Sequence, residues 1–504
     1  MTVLTRALLA ALVAFASVTA RAEEWQTTSP EAQGMSSQEL TKLVDFGIGN
    51  GMDSVLVTRH GRIVAEAYYA PFAAATKHRI NSATKSVIGS LIAIALDEGL
   101  IKSLDQPVLD FFPGRTFANL DDRKKAITLR HLLDMTSGLD WKEPLNNTLP
   151  VSFFEMERSR DWVQYILDRP MAHDPGTTFN YNSGNAHLLS AILSKVAGRS
   201  ARGYAEEKLF GPLGIDDVLW RSDPQHVSAG GAGLYLQPRD MARLGRLWLQ
   251  DGMLQGRPLL PAGWIDHARH ATVDMGLGPE LRYGNLFWSA PARDVFMAVG
   301  YDRQLIVVMP KIDVVAVFTG AFRYSNAVGK PSSPGYRSGL VVDRLYAAVQ
   351  SDAALPEDPA ALAALADKTK QVALEVRTES AGASTLAPAI SGKVYRLQPN
   401  TLMVDAFSLT FKNGMASYAY ESGRRHFGGP IGLDGYYAIG GRRLYGQSAA
   451  KGRWLDDKTF QLEVQTVGND DLGTFAITFD GKDVAVHAAF LAGFGANMKG
   501  AEDE

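Results

Sequence analysis

The chain has 504 residues, of which 46% are hydrophobic and 21% charged, and these globular values predict two or three domains with cores large enough to hold a preorganised site. A formal net charge of −3 gives no electrostatic basis for nucleic acid or an anionic membrane as the main partner. The sequence contains no cysteine, which excludes disulfides, thiolate zinc sites, cysteine nucleophiles and a lipid-modified N-terminal cysteine.

Residues 1–22 have the pattern of a secretory signal peptide. Arg6 precedes an apolar run from Ala7 to Val18, and Ala20-Arg21-Ala22 fits a small-residue cleavage site before Glu23. An uncleaved membrane anchor is the competing interpretation, but the run is shorter than the roughly 20 residues that span a bilayer. We therefore expect export, with cleavage near Ala22 and a periplasmic or secreted mature chain that has no stable membrane insertion.

Strand signals flank a long helical segment in the next part of the chain, residues 29–350. Val55 to Tyr69 is typical of a β-hairpin with His60-Gly61 at its turn, and helical signals dominate from Ser82 to about Asp251. The further predicted elements are helices at Leu129 to Met135, Asp161 to Leu167, Asn185 to Val196 and Pro238 to Leu249, and strands at Phe296 to Gly300, Gln304 to Val308 and Val314 to Phe318. This order predicts an α+β domain over 29–350, a mixed sheet with helices packed on it and one helical lobe.

The composition changes after Gln350. Residues 351–388 are rich in Ala, Pro, acidic and small polar residues, and they predict a linker that contains a short helix ending near Val376. From residue 389 to residue 504, short alternating runs separated by Gly, Asn and Asp predict an all-β module, a sandwich or a barrel. The module contains no nucleophile or metal cluster, so we interpret it as a structural or substrate-restricting accessory domain.

Ser82 and Lys85 carry the strongest chemical signal. A spacing of three residues places a hydroxyl and an amine on one face of a helix, where the amine can accept the proton of the nucleophile. The following run, Val87 to Leu96, is apolar nearly all round and predicts a buried helix. The competing interpretation is a helix cap with a solvated lysine one turn later. Ser448 and Lys451 share the spacing, but their Gly-flanked context predicts a turn between strands and no chemistry.

Tyr181 is the candidate for a second proton carrier. It lies in Asn180-Tyr181-Asn182-Ser183, after Pro175-Gly176 and before an apolar helix, so its phenol can point from a loop into a cleft. Near a cationic Lys85 we expect the phenolate to be favoured and the tyrosine pKa to fall below its usual value of about 10. A half-buried tyrosine with a backbone hydrogen bond is the competing interpretation.

These residues belong to a series of motifs that resembles one known family. In chain order, the motifs are Ser82-Ala83-Thr84-Lys85, Asp97 to Ile101, Leu104 to Val108, Thr128 to Leu139, Asn180 to Asn185, and Gly230 to Tyr235 with Pro238 to Arg243. Their order and spacing resemble the serine hydrolases of the class C β-lactamase superfamily, over about Ser29 to Gln350. The chain is most similar to the esterase and amidase branch that includes the 6-aminohexanoate-dimer hydrolases.

Two departures from the β-lactamase pattern favour that branch. Ser183 stands where the tyrosine motif of β-lactamases and penicillin-binding proteins has asparagine, and the lysine–threonine–glycine triplet of the site-lining strand is replaced by Ala298-Val299-Gly300. Ala298 cannot hold a substrate carboxylate as the lysine of the relatives does. Arg303 is a candidate for that charge, with a surface salt bridge as the competing interpretation.

The resemblance implies an acyl-enzyme mechanism with named roles. Ser82 is the nucleophile, Lys85 and Tyr181 share its proton, and the backbone N–H groups of Ser82 and Tyr301 form the oxyanion hole. Ser183, Gly300 and Arg303 are the predicted substrate-binding residues. Loops at 140–157 and 274–283 are expected to shape the pocket, so the sequence does not define the substrate. The sequence also does not define which base acts first or what the oligomeric state is.

Three functions therefore stay open at the level of sequence. The first is an exported serine esterase or amidase, and the second is a β-lactamase or D-Ala-D-Ala peptidase of the penicillin-binding-protein type. The third is a catalytically silent binding protein of the same fold. The expected partner is a small ester, amide or lactam, with no cofactor and no metal. His267 and His270 have a spacing that suits a metal pair, but a solvated helix end is the favoured interpretation because no third ligand clusters with them.

Overall fold

The computed structural model describes residues 24–145, 150–320, 334–375, 384–443, 446–469, 471–490 and 495–503. The predicted signal peptide therefore lies outside the described residues, and the helix predicted to end near Val376 ends at Val372. Among the described residues, no helix combines the length and the apolar character that a membrane crossing requires.

The helices lie mostly in the first 372 residues. In chain order they are α1 (Ser37–Gly49), α2 (Thr84–Asp97), α3 (Asp122–Lys125), α4 (Leu129–Leu133), α5 (Val151–Arg158), α6 (Trp162–Leu167), α7 (Ser183–Ala197), α8 (Ala201–Ala205), α9 (Gly211–Leu213), α10 (Pro238–Leu249), α11 (Trp264–Arg269), α12 (Pro334–Ala348), α13 (Pro359–Val372) and α14 (Ala387–Ile390).

The strands fall into two groups. Those of the first domain are β1 (Met52–Arg59), β2 (Arg62–Tyr68), β3 (His78–Arg79), β4 (Leu219–Trp220), β5 (Leu234–Leu236), β6 (Met253–Leu254), β7 (Arg257–Pro258), β8 (Val273–Asp274), β9 (Arg282–Gly284), β10 (Phe287–Ala290), β11 (Val295–Gly300), β12 (Gln304–Met309) and β13 (Val314–Gly320). Those of the second are β14 (Val394–Leu397), β15 (Ala406–Lys412), β16 (Met415–Ser422), β17 (Arg425–Ile431), β18 (Ala438–Arg443), β19 (Gly446–Trp454), β20 (Thr459–Thr466), β21 (Gly473–Asp480), β22 (Asp483–Phe490) and β23 (Gly495–Glu502).

The first domain is built on an eight-stranded sheet in the order β2-β1-β13-β12-β11-β10-β9-β8. Every residue of β1, β11, β12 and β13 is buried, so both faces of the sheet centre are covered. Helices α1 and α10 pack on these strands, and α2, α4, α6 and α7 form the helical lobe beside them. The predicted α+β domain, a sheet with helices packed on it and one helical lobe, is confirmed.

A three-stranded sheet, β3-β5-β4, connects the lobe to the nucleophile. Ile80, which follows β3, donates its N–H to the carbonyl of Leu234 at 2.9 Å, and the chain then turns through a short 3-10 segment, Asn81–Ala83, into α2. All residues from Thr84 to Ala95 are buried. The apolar run of the sequence therefore forms a buried helix, and Ser82 lies at its entrance.

The second domain is a ten-stranded antiparallel sheet in the order β17-β16-β15-β14-β23-β22-β21-β20-β19-β18. The sheet curls until Gly432, which follows β17, bonds to β19: its N–H donates to the carbonyl of Ala450 at 3.0 Å, and its carbonyl accepts from Gly452 at 2.9 Å. The predicted all-β module is thus a near-barrel with its own core. Ser448 and Lys451 lie within strand β19, so the turn predicted there is wrong, because the strand continues through the flanking glycines.

The region after Gln350 contacts the first domain through the linker and through the second domain. Helix α13, inside the predicted linker, packs against α1, and its residues Leu365 and Val372 belong to the core of the first domain. The turn between β20 and β21 lies against β3. The region after Gln350 therefore contributes to the packing of the first domain as well as joining it to the second.

Candidate active site

The site forms where the entrance of α2 meets the loop before α7 and the end of β11. Ser82 is partly exposed, whereas Lys85 is 1% exposed and Tyr181 is 6% exposed. The Nζ atom of Lys85 lies 2.8 Å from Ser82 Oγ, and it also lies 4.7 Å from the centroid of the Tyr181 ring. The hydroxyl of Tyr181 makes a side-chain hydrogen bond with Ser82. The hydroxyl, the amine and the phenol thus converge at one accessible point.

Lys85 has two further partners that fix its amine in place. Its Nζ donates to Ser183 Oγ at 2.8 Å and to the carbonyl of Gly231 at 2.7 Å. With Ser82, these contacts use all three donors of an ammonium group. Burial lowers the pKa of Lys85 to about 8, against the opposing effect of the Glu143 carboxylate. At pH 7, roughly one-tenth of a group with this pKa is neutral and able to act as a base.

Glu143 completes the site, and sequence reasoning missed it. Its Oε1 accepts from Ser183 Oγ at 2.6 Å, while its Oε2 accepts from the N–H of Ser183 at 2.8 Å and from Trp141 Nε1 at 2.7 Å. The residue falls within the loop at 140–157 that was expected only to shape the pocket. Its spacing from Ser183, 40 residues along the chain, has no motif signature, because the fold alone brings the two together.

Tyr181 is held by the residues on both sides of it. Asn180 Nδ2 donates to the carbonyl of Trp141 at 3.1 Å, and Asn182 caps α7 by accepting from Asn185 N at 3.2 Å. The expected fall in the tyrosine pKa is wrong: burial raises the pKa of Tyr181 well above its usual value, and the Glu143 carboxylate raises it further. Desolvation outweighs the nearby lysine, so Tyr181 carries its proton throughout the neutral range.

The end of β11 lies directly beside the nucleophile. A side chain on Gly300 would place its Cβ 2.2 Å from the carbonyl oxygen of Ile80 and 3.2 Å from the N of Ala83, so only glycine allows this approach. Asn81 Nδ2 donates to the carbonyl of Tyr301 at 3.0 Å, which fastens the residue after the glycine to the turn that carries Ser82. The two backbone groups predicted for the oxyanion hole are therefore neighbours in the fold.

The other predicted substrate-binding residues have different environments. Ser183 is 1% exposed and its hydroxyl lies between Lys85 and Glu143, so contact with a substrate would require these bonds to change. Arg303 is half-buried in the turn between β11 and β12, with a φ of 66°. Ala298 is fully buried in β11, where its methyl group offers no anchor for an anion. His270 lies at the exposed end of α11, with its Nδ1 2.9 Å from Asp266 Oδ1.

The fold and this site define a β-lactamase/transpeptidase-like protein with a serine at the entrance of a buried helix and a lysine in the first turn of that helix. The chain belongs to the Beta-lactamase family, whose model matches residues 48–343. A curated relative, the 6-aminohexanoate-dimer hydrolase of Paenarthrobacter ureafaciens, is 27% identical over 286 residues, which are 53% of this chain and 71% of that protein. The monacolin J acid methylbutanoyltransferase of Aspergillus terreus is 28% identical over 164 residues, 30% of this chain and 40% of that protein.

Solved structures agree on the fold. A Bacillus anthracis protein assigned provisionally to the 6-aminohexanoate-dimer hydrolases matches with a TM-score of 0.53 and 21% identity, covering 67% of this chain and 90% of its own. EstCE1, a hydrolase with promiscuous acyltransferase activity, matches with a TM-score of 0.50 and 19% identity, covering 62% of this chain and 99% of its own. The predicted resemblance to serine hydrolases of this superfamily is confirmed, and the family and its neighbours support a hydrolase.

Proposed function

We propose that this protein is a serine hydrolase that cleaves an ester or amide bond through an acyl-enzyme on Ser82. The observation that supports this most directly is the set of contacts around Lys85. A buried amine whose pKa is lowered to about 8 lies 2.8 Å from a partly exposed hydroxyl. This is the arrangement that a nucleophile and its general base require.

The partners of Lys85 determine which way its lone pair points once it is neutral. The carbonyl of Gly231 can only accept, and the hydroxyl hydrogen of Ser183 is already donated to Glu143, so both groups need a hydrogen from the amine. A neutral amine has two hydrogens and one lone pair. The lone pair is therefore left for Ser82, where it can take the Oγ proton as Oγ bonds to the carbonyl carbon of the substrate.

Tyr181 completes the transfer of the proton. Because its pKa is raised, it is a phenol that both donates and accepts, and it bonds to Ser82 in the resting site. We assign it to the relay of the proton from Lys85 to the departing alcohol or amine. The tetrahedral oxyanion would accept hydrogen bonds from the backbone N–H groups of Ser82 and Tyr301, and water would then release the acid by the same steps in reverse.

The strand beside the nucleophile favours neutral esters and amides over β-lactams and stem peptides. Recognition of those substrates relies on a cation for their carboxylate, and Ala298 occupies the corresponding position. We also propose that the protein acts outside the cytoplasm, on the basis of residues 1–22 alone. N-terminal sequencing of the protein purified after full-length expression in a secreting host tests this, with a start near Glu23 expected.

A fluorophosphonate probe tests the proposed mechanism. We expect one adduct per chain at Ser82 in the wild type, and none in Ser82→Ala or Lys85→Ala proteins that keep the wild-type circular dichroism spectrum. Hydrolysis of short acyl p-nitrophenyl esters and linear amide oligomers should exceed hydrolysis of nitrocefin. Full activity of Ser82→Ala would refute the mechanism, and faster turnover of nitrocefin would favour the β-lactamase alternative.

A further inference from the structure

The near-barrel of the second domain is hollow at one end. It holds a cavity of about 330 Å³, partly open to solvent, between the β20–β21 turn and the middle of the barrel. Leu462, Phe475, Ile477, Val486 and Met498 are among its walls. Protein interiors are normally packed with few voids larger than a water molecule, and small-molecule sites begin at about 300 Å³. A void of this size with apolar walls is therefore a candidate binding site.

The other end of the same barrel provides an internal comparison. There the interior is filled by aromatic rings: the centroids of Trp454 and Phe460 are 5.2 Å apart, and those of Phe411 and Phe460 are 5.3 Å apart. Trp454, Phe460 and Phe479 are all buried. Aromatic side chains therefore fill the core at this end of the barrel, whereas the other end is left hollow.

The polarity of the cavity changes along the strands. On β20 the inward residues run from Leu462 through Val464 to Thr466, and the next lining residue along the chain is Asp471, in the turn that leads to β21. An Asp471 carboxylate oxygen accepts from the N–H of Thr466 at 2.6 Å. The interior is thus apolar, and the end at the turn is polar and carries a carboxylate.

We propose that this cavity binds an uncharged aliphatic molecule with one polar head, such as a medium-chain alcohol, ester or amide. The apolar walls would bury the chain, and the polar head would lie beside Thr466 and Asp471. Asp471, at the exposed end, is the one charged residue among the described lining residues, so this lining offers no cation to pair with the carboxylate of a fatty-acid anion. The site is separate from Ser82 and does not depend on the proposed hydrolysis.

Binding of the neutral fluorophore N-phenyl-1-naphthylamine to the full-length protein tests the proposal. We expect saturable binding to the wild type, and displacement by decanol at a concentration at least tenfold lower than by decanoate at pH 8. Val464→Phe and Val486→Phe each fill the cavity and should raise the dissociation constant of the probe at least tenfold. Ala485→Phe adds the same ring on the exposed side of β22 and should leave binding unchanged.

Photo-crosslinking keeps the proposal testable if the filled variants unfold. A decanol analogue with a diazirine near the end of its chain should label peptides of strands β20 to β22 in the wild type, and excess decanol should protect them. Labelling confined to the first domain would overturn the proposal. So would unchanged probe binding in the folded Val464→Phe and Val486→Phe proteins, or equal displacement by decanol and decanoate.

Discussion

The backbone N–H of Arg79 donates to the carbonyl of Gly468 at 2.8 Å, and this bond joins the second domain to the strand that leads into Ser82. Gly468 has a φ of +87°, and a Cβ at this position would lie 2.0 Å from the carbonyl oxygen of Lys77. Only two residues, Ile80 and Asn81, separate Arg79 from Ser82, with no loop between them to absorb a shift. The second domain therefore supports the nucleophile directly, through its backbone.

We predict that Gly468→Ala lowers kcat about tenfold with little change in KM. The methyl group forces the β20–β21 turn away from β3, which releases Arg79 and loosens the geometry of Ser82, and about 1.4 kcal/mol of lost transition-state stabilisation gives this factor. Steady-state kinetics on a short acyl ester checks the prediction. Gly481→Ala is the matched control, because Gly481 also has a positive φ, +63°, but a Cβ there meets nothing within 4 Å. An equal fall in kcat for both variants would contradict the assigned role.

The sequence was sufficient for the elements whose signal is local. Helix α10 runs from Pro238 to Leu249 as predicted, and the hairpin turns at His60-Gly61 as predicted, because periodicity and turn residues define both. Ser82 and Lys85 were found because a single helical turn, from the 3-10 segment into α2, sets their separation. Tyr181 was found because its motif lies at a fixed position relative to a helix start.

The remainder of the site depends on contacts that no spacing encodes. Glu143 approaches Ser183 only after the lobe has folded, and Gly468 reaches β3 from nearly 400 residues along the chain. The pKa of Tyr181 was predicted in the wrong direction because sequence gives the charge of a neighbour but not the depth of burial, and burial is the larger effect here. Ser448 was placed in a turn because glycines that a curled sheet accommodates resemble turn residues.

The proposed role of Lys85 predicts the pH dependence of acylation. The base must be neutral, and burial lowers its pKa to about 8, so the rate of labelling by a fluorophosphonate should rise about tenfold per pH unit up to pH 8 and then level off. Single-turnover labelling between pH 6 and pH 9.5 measures this. In Lys85→Arg the guanidinium stays protonated, so the slow residual labelling should show no step near pH 8. A flat wild-type profile would exclude Lys85 as the base.

Glu143 is predicted to act as a positioning residue that also sets the pKa of Lys85. Its carboxylate raises that pKa against burial, so Glu143→Gln should shift the acid limb of the profile to lower pH. The same change should lower the maximal rate. Glu143 accepts from Ser183 and Trp141 with two different oxygens, whereas a glutamine has only one acceptor oxygen and its NH₂ group cannot accept. Glu155→Gln, in helix α5, where the Glu155 carboxylate accepts from the Tyr165 hydroxyl, should leave the profile unchanged. A shift of the limb to higher pH would contradict the assignment.

Tyr181→Phe separates proton relay from packing. The ring of Tyr181 packs edge-on against Tyr283 and Trp288, with centroids 6.3 and 6.4 Å away, and phenylalanine preserves these contacts. We expect acylation and deacylation to slow by roughly 10²- to 10⁴-fold, the usual contribution of a positioned proton carrier. The rise of the acylation rate up to pH 8 should remain in this variant, because Tyr181 has a raised pKa and does not titrate in that range.

Tyr283→Phe is the matched control for this prediction. Tyr283 is fully buried beside Tyr181, and its hydroxyl has no hydrogen-bond partner among the described residues, so its removal should change neither rate appreciably. Rapid-quench measurement of acylation and deacylation for both variants, with circular dichroism as the folding check, gives the comparison. Equal rates in the two variants would reduce Tyr181 to a packing residue. If the acylation rate of Tyr181→Phe no longer rose up to pH 8, the phenol would be the titrating base. Lys85 would then be a permanently charged partner of Ser82.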